Sequence, residues 1–524
     1  MSRMRGLPFL SSILILPFVA ITAFSGELED YKFAYELYKN GAYDLAEKNL
    51  LKFVQDYPES SNADDALFLA ADCAFKLHRF HDAIRYYKQL EADYPSSPLR
   101  LDAVRGVALS WFQLGRYEEA IKGFEEVLKR AKDPAVISSS LFYIGESHFN
   151  LGNYARAASY YDRLLTKYPK AAERKSALYS KGWSLYHLKS YRTAYDTFRM
   201  VVQEFPESDE AAESAYRMAE CLFALKKWDR AAEAYKTVIS RYSSKSKWTQ
   251  LVANANFRLG ECYFQMKRMD EARRQFDLLL HRYPTMEDVA ADAQFWIAEV
   301  LLSQGKFTEA IHEYNKVIEL YPTSKVVDDA RYGIAFAYFR QGDYREAYRQ
   351  FKLVAEDPTS ELADAARFYM GECRRMDSQY NSAILEYKRV SRRSEYGDDA
   401  LFGIGSSYFS LRDYKSAVSA FKDLLKVYPK TPLRPYALFQ LGLAYFSGGD
   451  YRNAAETLET FLKENPDGIG ARAPADEAIY WLARAKFEMK EYRGAIDACR
   501  RIINRFPHSR FLYKAHFFLA ESLY

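Results

Sequence analysis

Acidic side chains recur between pairs of aromatic ones at helical spacing along this chain. In the stretch "FRLGECYF" (residues 257–264), an acid follows the first phenylalanine by four positions and precedes the last one by three. Residues three and four apart share one face of a helix, so this face would carry a ring, a carboxylate and a second ring. Such a face suits an extended or helical peptide that bears basic residues. The candidate binding residues are Phe142, Glu146, Phe149, Tyr216, Glu220, Phe223, Phe257, Glu261, Phe264, Phe295, Glu299, Phe368 and Glu372.

A purely structural interpretation of the same residues stays open. The aromatic side chains could be core residues that wedge between successive helices, and the acids could form a solvated floor. Arg105 and Arg375 occupy aromatic positions of the pattern. A buried, unpaired arginine is costly, so these two residues favour a partly solvated face, although a long side chain can also carry its charge out to water.

Five arginines form a basic cluster in one part of the sequence: Arg374, Arg375, Arg389, Arg392 and Arg393. They could meet an acidic partner or a lipid head group. The alternative is an ordinary solvated, charged surface.

Motifs of catalysis are missing from the sequence. It has no glycine-rich phosphate loop, no H-E-x-x-H, no G-x-S-x-G and no paired-cysteine motif. His78 and His81 lie three apart with no evident third metal ligand. We therefore predict a protein that is not an enzyme and that holds no metal and no cofactor.

The elements that carry these residues repeat. An alanine in a Tyr/Phe-x-x-Ala signature recurs thirteen times, and its first five steps are all 37 residues. Each repeat has two apolar stripes at helical spacing, separated by a break such as Gly152-Asn153, and often ends in an aromatic residue and a proline, which stops a helix. The signature alanines are Ala46, Ala83, Ala120, Ala157, Ala194, Ala231, Ala272, Ala310, Ala347, Ala383, Ala417, Ala454 and Ala495.

The repeat resembles the tetratricopeptide repeat. The residues that carry the resemblance at the family's spacing are Leu259, Gly260, Tyr263, Ala272, Phe276 and Pro284. It implies an all-α fold, a right-handed α-solenoid of about thirteen antiparallel helix pairs in which the first helix of each pair lines the groove. The ending "YPxS" is similar to that of an exported subset, which includes BamD-like outer-membrane assembly components and CpoB-like (YbgF-like) Tol–Pal accessory proteins.

Cysteines recur at one position of the repeat, as Cys73, Cys221, Cys262 and Cys373, whereas Cys499 lies elsewhere. Equivalent positions of adjacent repeats should be about 10 Å apart, as packed helices are. A disulfide needs Cα atoms within about 7 Å. We therefore expect five unpaired, buried thiols.

The amino terminus predicts export. Arg3 and Arg5 precede an apolar run over residues 7–24, and small residues allow cleavage before Gly26. We predict a signal peptide at 1–25 and a repeat superhelix at 26–524, placed in the periplasm or at the outer membrane. An uncleaved anchor is the alternative, and it would give the only direct membrane contact of the chain. The formal net charge of +4 shows no basic excess of the kind that nucleic acid requires.

These features together predict a non-catalytic scaffold that binds other envelope proteins or peptides, in outer-membrane assembly or in Tol–Pal and cell-division complexes. The alternative is a module that binds peptidoglycan or another polysaccharide, because aromatic faces stack on sugars. A third hypothesis is an enzyme whose catalytic domain follows residue 524.

The last segment, residues 511–524, reads as a first helix without its second helix. It is rich in apolar residues, and terminal repeats normally present a polar outer face. We expect the array to continue beyond it or the helix to dock onto a partner, so that the chain as given self-associates through this segment.

Overall fold

The computed structural model describes residues 16–470 and 473–524, with side chains from Gly26 onward. In these residues, 27 α-helices follow one another in chain order, and first and second helices alternate through thirteen repeats with one helix left over. The predicted all-α solenoid of about thirteen antiparallel helix pairs is confirmed. The chain forms two compact units, unit 1 up to Met266 and unit 2 from Lys267 to Tyr524.

Unit 1 contains helices α1 to α13, and the odd-numbered helices are the first helices of their repeats. A short 3₁₀ turn, Ser246–Trp248, occupies the longer connection before α13. The helices are α1 (Leu16–Lys39), α2 (Tyr43–Asp56), α3 (Ala63–Lys76), α4 (Phe80–Asp93), α5 (Arg100–Gln113), α6 (Tyr117–Arg130), α7 (Pro134–Asn150), α8 (Tyr154–Lys167), α9 (Arg174–His187), α10 (Tyr191–Glu204), α11 (Asp209–Ala224), α12 (Trp228–Tyr242) and α13 (Thr249–Gln265).

Unit 2 contains helices α14 to α27. The second long connection of the chain forms a small antiparallel hairpin of β1 (Gly468–Ile469) and β2 (Ala473–Pro474). The helices are α14 (Met269–Arg282), α15 (Glu287–Ser303), α16 (Phe307–Leu320), α17 (Val327–Gln341), α18 (Tyr344–Glu356), α19 (Ala363–Met376), α20 (Tyr380–Tyr387), α21 (Gly397–Ser410), α22 (Tyr414–Val427), α23 (Arg434–Ser447), α24 (Tyr451–Glu464), α25 (Ala475–Glu488), α26 (Tyr492–Arg505) and α27 (Leu512–Leu523).

The signature alanines explain how the helices pack. All thirteen lie on second helices and are fully buried. One turn further along the second helix, a large residue lies in every repeat except the last, where it is Cys499. In five repeats this large residue packs against a glycine of the first helix. A methyl group added at Gly145, for example, would come within 2.5 Å of the Tyr161 ring. The small residue thus lets the ring fill the space between the two helices, where close packing leaves no room for another methyl group.

The turn inside each repeat uses one backbone conformation throughout. Its central residue has a positive φ in all thirteen repeats, for example +74° at Gly152 and 58° at Lys189. Six of these residues are glycines and seven are not. A left-handed residue is a common way to end a helix, and it returns the chain here to start the antiparallel second helix.

The predicted signal peptide lies largely outside the described residues, which begin at Leu16. Helix α1 continues through the proposed cleavage point before Gly26. Among the residues that the structure describes, no helix is both long enough and apolar enough to span a membrane.

The five cysteines are unpaired and buried, as the spacing of the repeats predicts. Burial raises the pKa of the Cys73, Cys221, Cys262 and Cys373 thiols to about 12. The reactive form of a thiol is the thiolate, so these side chains should be inert in the folded protein.

We therefore predict that an alkylating reagent at pH 8 modifies none of the five thiols in the native chain and all five in denaturant. Intact-mass spectrometry of the non-reduced, alkylated protein gives the count directly. A Cys221–Cys262 disulfide, or rapid native labelling of either residue, would contradict this prediction.

Candidate binding face

The predicted binding residues all lie on first helices, on the side formed by the aromatic, acidic and aromatic positions of the repeat. We call this side the A face. Nine of the thirteen belong to unit 1, on α7, α11 and α13, and four belong to unit 2, on α15 and α19.

In four of the five sets, the first aromatic residue packs one side of its ring on the second helix of its own repeat; these residues are Phe142, Tyr216, Phe295 and Phe368. The ring centroids are 5.7 Å apart for Tyr216 and Tyr235, and 5.6 Å apart for Phe295 and Tyr314. Tyr216 is buried, whereas Phe295 and its counterparts Phe142, Phe257 and Phe368 are half-buried. The rings of Phe142, Phe295 and Phe368 therefore serve the core on one side and keep some surface for contact on the other.

On α7 and α11, the second aromatic residue packs against the start of the second helix. Phe149 lies 5.4 Å from Tyr154, and Phe223 lies 4.8 Å from Trp228, between ring centroids. Both phenylalanines are half-buried, as is Phe264. The A face thus presents partly covered rings at regular intervals.

The acids of the A face accept hydrogen bonds from buried tyrosines. The hydroxyl of Tyr161 donates to Glu146 at 2.6 Å, and that of Tyr235 donates to Glu220 at 2.7 Å. In unit 2, the hydroxyls of the tyrosines that follow Glu299 and Glu372 by fifteen residues donate to them in the same way. Four of the predicted acids therefore have a structural role, since each satisfies a hydroxyl inside its own repeat.

The sequence itself shows which repeats can form this hydrogen bond, although the analysis of single positions missed it. Five repeats have a tyrosine on the second helix, and in each of them an aspartate or glutamate lies fifteen residues earlier, on the first helix. Where the earlier residue is Leu109, Trp183, Phe336 or Ser406, the later one is phenylalanine. Glu261 is the exception: Phe276 follows it, and Arg258 pairs with it at 2.8 Å. The five acid–tyrosine pairs are Asp72–Tyr87, Glu146–Tyr161, Glu220–Tyr235, Glu299–Tyr314 and Glu372–Tyr387.

Glu220 is the centre of a charged network in unit 1. Its carboxylate lies 3.1 Å from Arg258 of the next first helix and 3.9 Å from Arg217 of its own helix. The guanidinium of Arg217 stacks 4.3 Å from the ring centroid of Trp183. Burial disfavours the charge of Arg258, but the carboxylates of Glu261 and Glu220 outweigh it and raise the pKa of Arg258. This part of the A face is therefore engaged internally.

Unit 2 has an open groove on its A face, between α19, α21 and α23. Its volume is about 640 Å³. We call it the α19–α23 groove, and it brings together two predicted residues, Phe368 and Glu372, with one arginine of the predicted basic cluster, Arg375. The other lining residues are Asp399, Phe402, Gly403, Ser406, Phe409, Ser410, Leu433, Tyr436 and Gln440.

The charges in the α19–α23 groove do not cancel. Arg375 pairs with Glu372 through two hydrogen bonds of 3.1 and 2.6 Å. The carboxylate of Asp399 has no hydrogen bond or ion pair with another described residue. Burial, together with the charges of Asp398 and Glu372, raises the pKa of Asp399. A cation placed in the groove would relieve that repulsion.

The five arginines of the predicted cluster do not converge. Only Arg375 lines the α19–α23 groove, whereas Arg374 stacks 3.9 Å from the ring centroid of Tyr348. Arg389 pairs with Glu386, and Arg392 pairs with Asp423. Arg393 is exposed.

The other predicted arginine on the A face, Arg105, lies 3.3 Å from Asp102, so both arginines at aromatic positions have a carboxylate beside them.

No group of three or more histidine, cysteine, aspartate or glutamate side chains within the described residues is placed to hold a metal ion.

Parts of the chain match three known protein families. Residues 31–98, 68–136 and 216–287 match a tetratricopeptide repeat family. Residues 150–238 and 276–353 match subunit 3 of the anaphase-promoting complex, or cyclosome. Residues 394–523 match a family described as outer membrane lipoprotein, YfiO.

The chain is also similar to individual proteins. DnaJ homolog subfamily C member 3 of Gallus gallus is 26% identical over 141 residues, which are 24% of this chain and 27% of that protein. The chain thus spans about a quarter of the length of this curated relative.

Solved structures resemble the fold at low identity. The Cut9–Hcn1 hetero-tetramer of the anaphase-promoting complex is 16% identical and covers 98% of this chain and 99% of its own, with a TM-score of 0.32. The C-terminal part of a tetratricopeptide repeat protein from Cytophaga hutchinsonii is 17% identical and covers 50% of this chain and 98% of its own, with a TM-score of 0.44.

The repeat pattern, the helix pairs and the family matches define the class of the molecule. The chain is an α-solenoid of tetratricopeptide-type helix pairs, a scaffold of the kind that mediates contacts between proteins. Its residues 394–523 resemble those of BamD-like outer-membrane lipoproteins.

Proposed function

We propose that this chain is a non-catalytic scaffold of the cell envelope and that its α19–α23 groove binds a basic segment of a partner protein. The observation that carries this proposal is the Asp399 carboxylate. It lies in a groove of about 640 Å³ between aromatic side chains and lacks a cationic partner among the described residues. A lysine or arginine side chain would supply that cation, and the rings of Phe402 and Phe409 would cover its aliphatic stem.

The envelope assignment rests on two observations of different kind. Residues 394–523, which contain most of the groove, match the outer membrane lipoprotein family. The first 25 residues have the pattern of an export signal. We therefore place the partner among envelope proteins, with roles in outer-membrane assembly or in Tol–Pal complexes.

Site-specific photo-crosslinking tests the proposal. A photoreactive amino acid in place of Ser406, inside the groove, should form an adduct with one partner protein in the envelope of the cells that produce the chain. The same replacement at Ser419, exposed on the neighbouring second helix α22, is the matched control and should form none.

Charge reversal in the groove makes the test specific. Asp399→Lys should abolish the Ser406 adduct, and Glu395→Lys, at an exposed acid outside the groove, should leave it unchanged. If the adduct survives in Asp399→Lys, the charge argument is wrong. If no protein adduct forms and the chain instead sediments with purified cell wall, the partner is a glycan and the alternative function holds.

A further inference from the structure

A second groove of unit 2 lies at its second helices and is distinct from the A face. It runs between the end of α20, the helix α21 and the helix α22, and its volume is about 570 Å³. We call it the α20–α22 groove. Its lining includes four basic side chains, Lys388, Arg392, Lys422 and Lys426, but only one acidic side chain, Asp423.

The groove lies where a second helix ends early. The helix α20 has 8 residues, whereas the other second helices have 13 to 15. The step from Ala383 to Ala417 is accordingly 34 residues, the shortest between two signature alanines. Lys388 and Arg392 follow the last residue of α20 and line the groove from outside the helix. The missing turns of α20 thus leave space beside α22.

The basic residues of the groove occupy two fixed positions of the repeat, five and nine residues after the signature alanine. These positions hold Lys388 and Arg392 in one repeat and Lys422 and Lys426 in the next. None of the other eleven repeats has a basic residue at both positions. Lys422 and Lys426 are four residues apart on α22, where like charges destabilise a helix. The cluster is therefore a local departure from the repeat and not a consequence of its pattern.

Most of the positive charge is not neutralised inside the groove. Arg392 pairs with Asp423 at 2.8 Å, and this pair uses the one carboxylate of the lining. The ammonium group of Lys388 donates to the hydroxyl of Tyr408 at 3.4 Å. Neither Lys388 nor the two lysines of α22 form an ion pair with another described residue. All three lysines are exposed, so a ligand in the groove can reach them.

We propose that the α20–α22 groove binds a phosphate-bearing ligand, with the phosphate oxygens at Lys422 and Lys426 and the organic part against Tyr408. Lysine is a common phosphate ligand, as a point charge. A phosphate group concentrates about 1.5 to 2 negative charges and three acceptor oxygens at one centre, so one group can meet several lysines. A carboxylate has a single charge, so an acidic peptide would need several acids in register. The hydroxyls of Ser416 and Ser419 supply two further donors on α22.

Calorimetric titration of the full chain with pyrophosphate, at about 0.15 M salt to screen non-specific attraction, tests this site. We expect saturable binding at one site. Lys422→Ala and Lys426→Ala should each weaken it about two- to fivefold, the effect of one exposed ion pair, and the double variant about 4- to 25-fold. The double variant Lys415→Ala/Lys430→Ala removes two exposed lysines outside the groove and should bind as the wild type does.

A charge introduced at Ser419 tests whether the ligand lies in the groove. Ser419→Glu leaves every lysine in place but adds a carboxylate to the lining, so it should weaken binding at least as much as the loss of one lysine. Ser419→Gln has a side chain of equal size without the charge, and it should have little effect. Ser419 is exposed, so neither substitution should impair folding.

Lipid vesicles distinguish two sources of the phosphate. If the ligand is a phospholipid head group, phosphatidylcholine vesicles that contain phosphatidic acid should cosediment with the chain, and the Lys422→Ala/Lys426→Ala variant should lose this binding. If the ligand is soluble, pyrophosphate should bind and the vesicles should not. Both results support a phosphate site.

The proposal is overturned if pyrophosphate shows no saturable binding, or if the Lys422→Ala/Lys426→Ala variant binds it as the wild type does. Hexaglutamate is the competing probe, because it presents carboxylates in place of phosphates. If hexaglutamate binds more tightly than pyrophosphate, the groove recognises an acidic peptide and the assignment to phosphate is wrong.

Discussion

Replacement of Tyr235 by alanine should destabilise unit 1 by about 3–5 kcal/mol, the usual cost of truncating a large buried aromatic side chain. The Tyr235 ring is fully buried between α11 and α12 and packs against Tyr216. Its hydroxyl donates to Glu220. The variant thus loses the packing of a ring and also one hydrogen bond to a buried carboxylate, which is the centre of a network of two arginines.

Two other variants separate these contributions. Tyr235→Phe keeps the ring and should cost about 1.5–3 kcal/mol, the range for a hydrogen bond to a charged group. Tyr513→Ala removes a tyrosine that is 83% exposed and should change the free energy of unfolding by less than about 0.5 kcal/mol.

Hydrogen exchange is the appropriate measurement, because repeat arrays need not unfold in a single step. Amides of α11 and α12 should lose protection in Tyr235→Ala, and less so in Tyr235→Phe. Unchanged protection of these two helices in Tyr235→Ala would show that the ring is not a core element.

The periodicity of the sequence predicted the elements of this fold well. The signature alanines, most of them 37 residues apart, are buried on the second helix of each repeat, and breaks such as Gly152-Asn153 coincide with the turns inside the repeats. These features depend on local backbone preferences and on the apolar stripe of each helix, which a sequence shows directly.

The roles of the acids could not be read in the same way. Glu146 and Tyr161 are fifteen residues apart, on two helices joined by a turn, so no helical periodicity relates them. Arg258 reaches Glu220 from the following first helix, 38 residues later in the chain. Only the packing of the helices shows which carboxylates are engaged internally and which, like that of Asp399, face an open groove.

Ala215 shows the same limit in another way. An alanine at position 215 is unremarkable by itself, because small residues are frequent in every repeat. It becomes informative only when its position is known to hold a buried leucine or valine in the four preceding repeats. Deviations from a repeat are therefore more informative about function than the repeat itself, once the fold shows what each position packs against.

The Glu299–Tyr314 pair of unit 2 should make stability depend on pH. Burial raises the pKa of Glu299, although the hydrogen bond from Tyr314 opposes this effect. A carboxyl whose pKa is higher in the folded state than in the unfolded state stabilises the fold when it is protonated. This contribution is complete below the pKa of the unfolded state, near 4.5, and is lost as the pH rises through the pKa of the folded state. We therefore expect the contribution of Glu299 to the stability of unit 2 to fall as the pH rises above about 4.5.

Two substitutions should change this dependence in opposite directions. Tyr314→Phe removes the hydroxyl that stabilises the carboxylate, so its cost should be about 1.5–3 kcal/mol at pH 7 and smaller at pH 4, where Glu299 is protonated. Glu299→Gln keeps an acceptor for the Tyr314 hydroxyl and removes the buried charge. It should leave stability nearly unchanged at pH 4 and raise it at pH 7.

Hydrogen exchange of α15 and α16 at the two pH values measures both effects within unit 2. Glu319→Gln, the same change at an exposed position of α16, is the control and should not alter the pH dependence. A Glu299→Gln variant with the pH dependence of the wild type would show that Glu299 remains ionised at no cost. The acid–tyrosine pairs would then be simple hydrogen bonds, without an electrostatic contribution of the buried carboxylate.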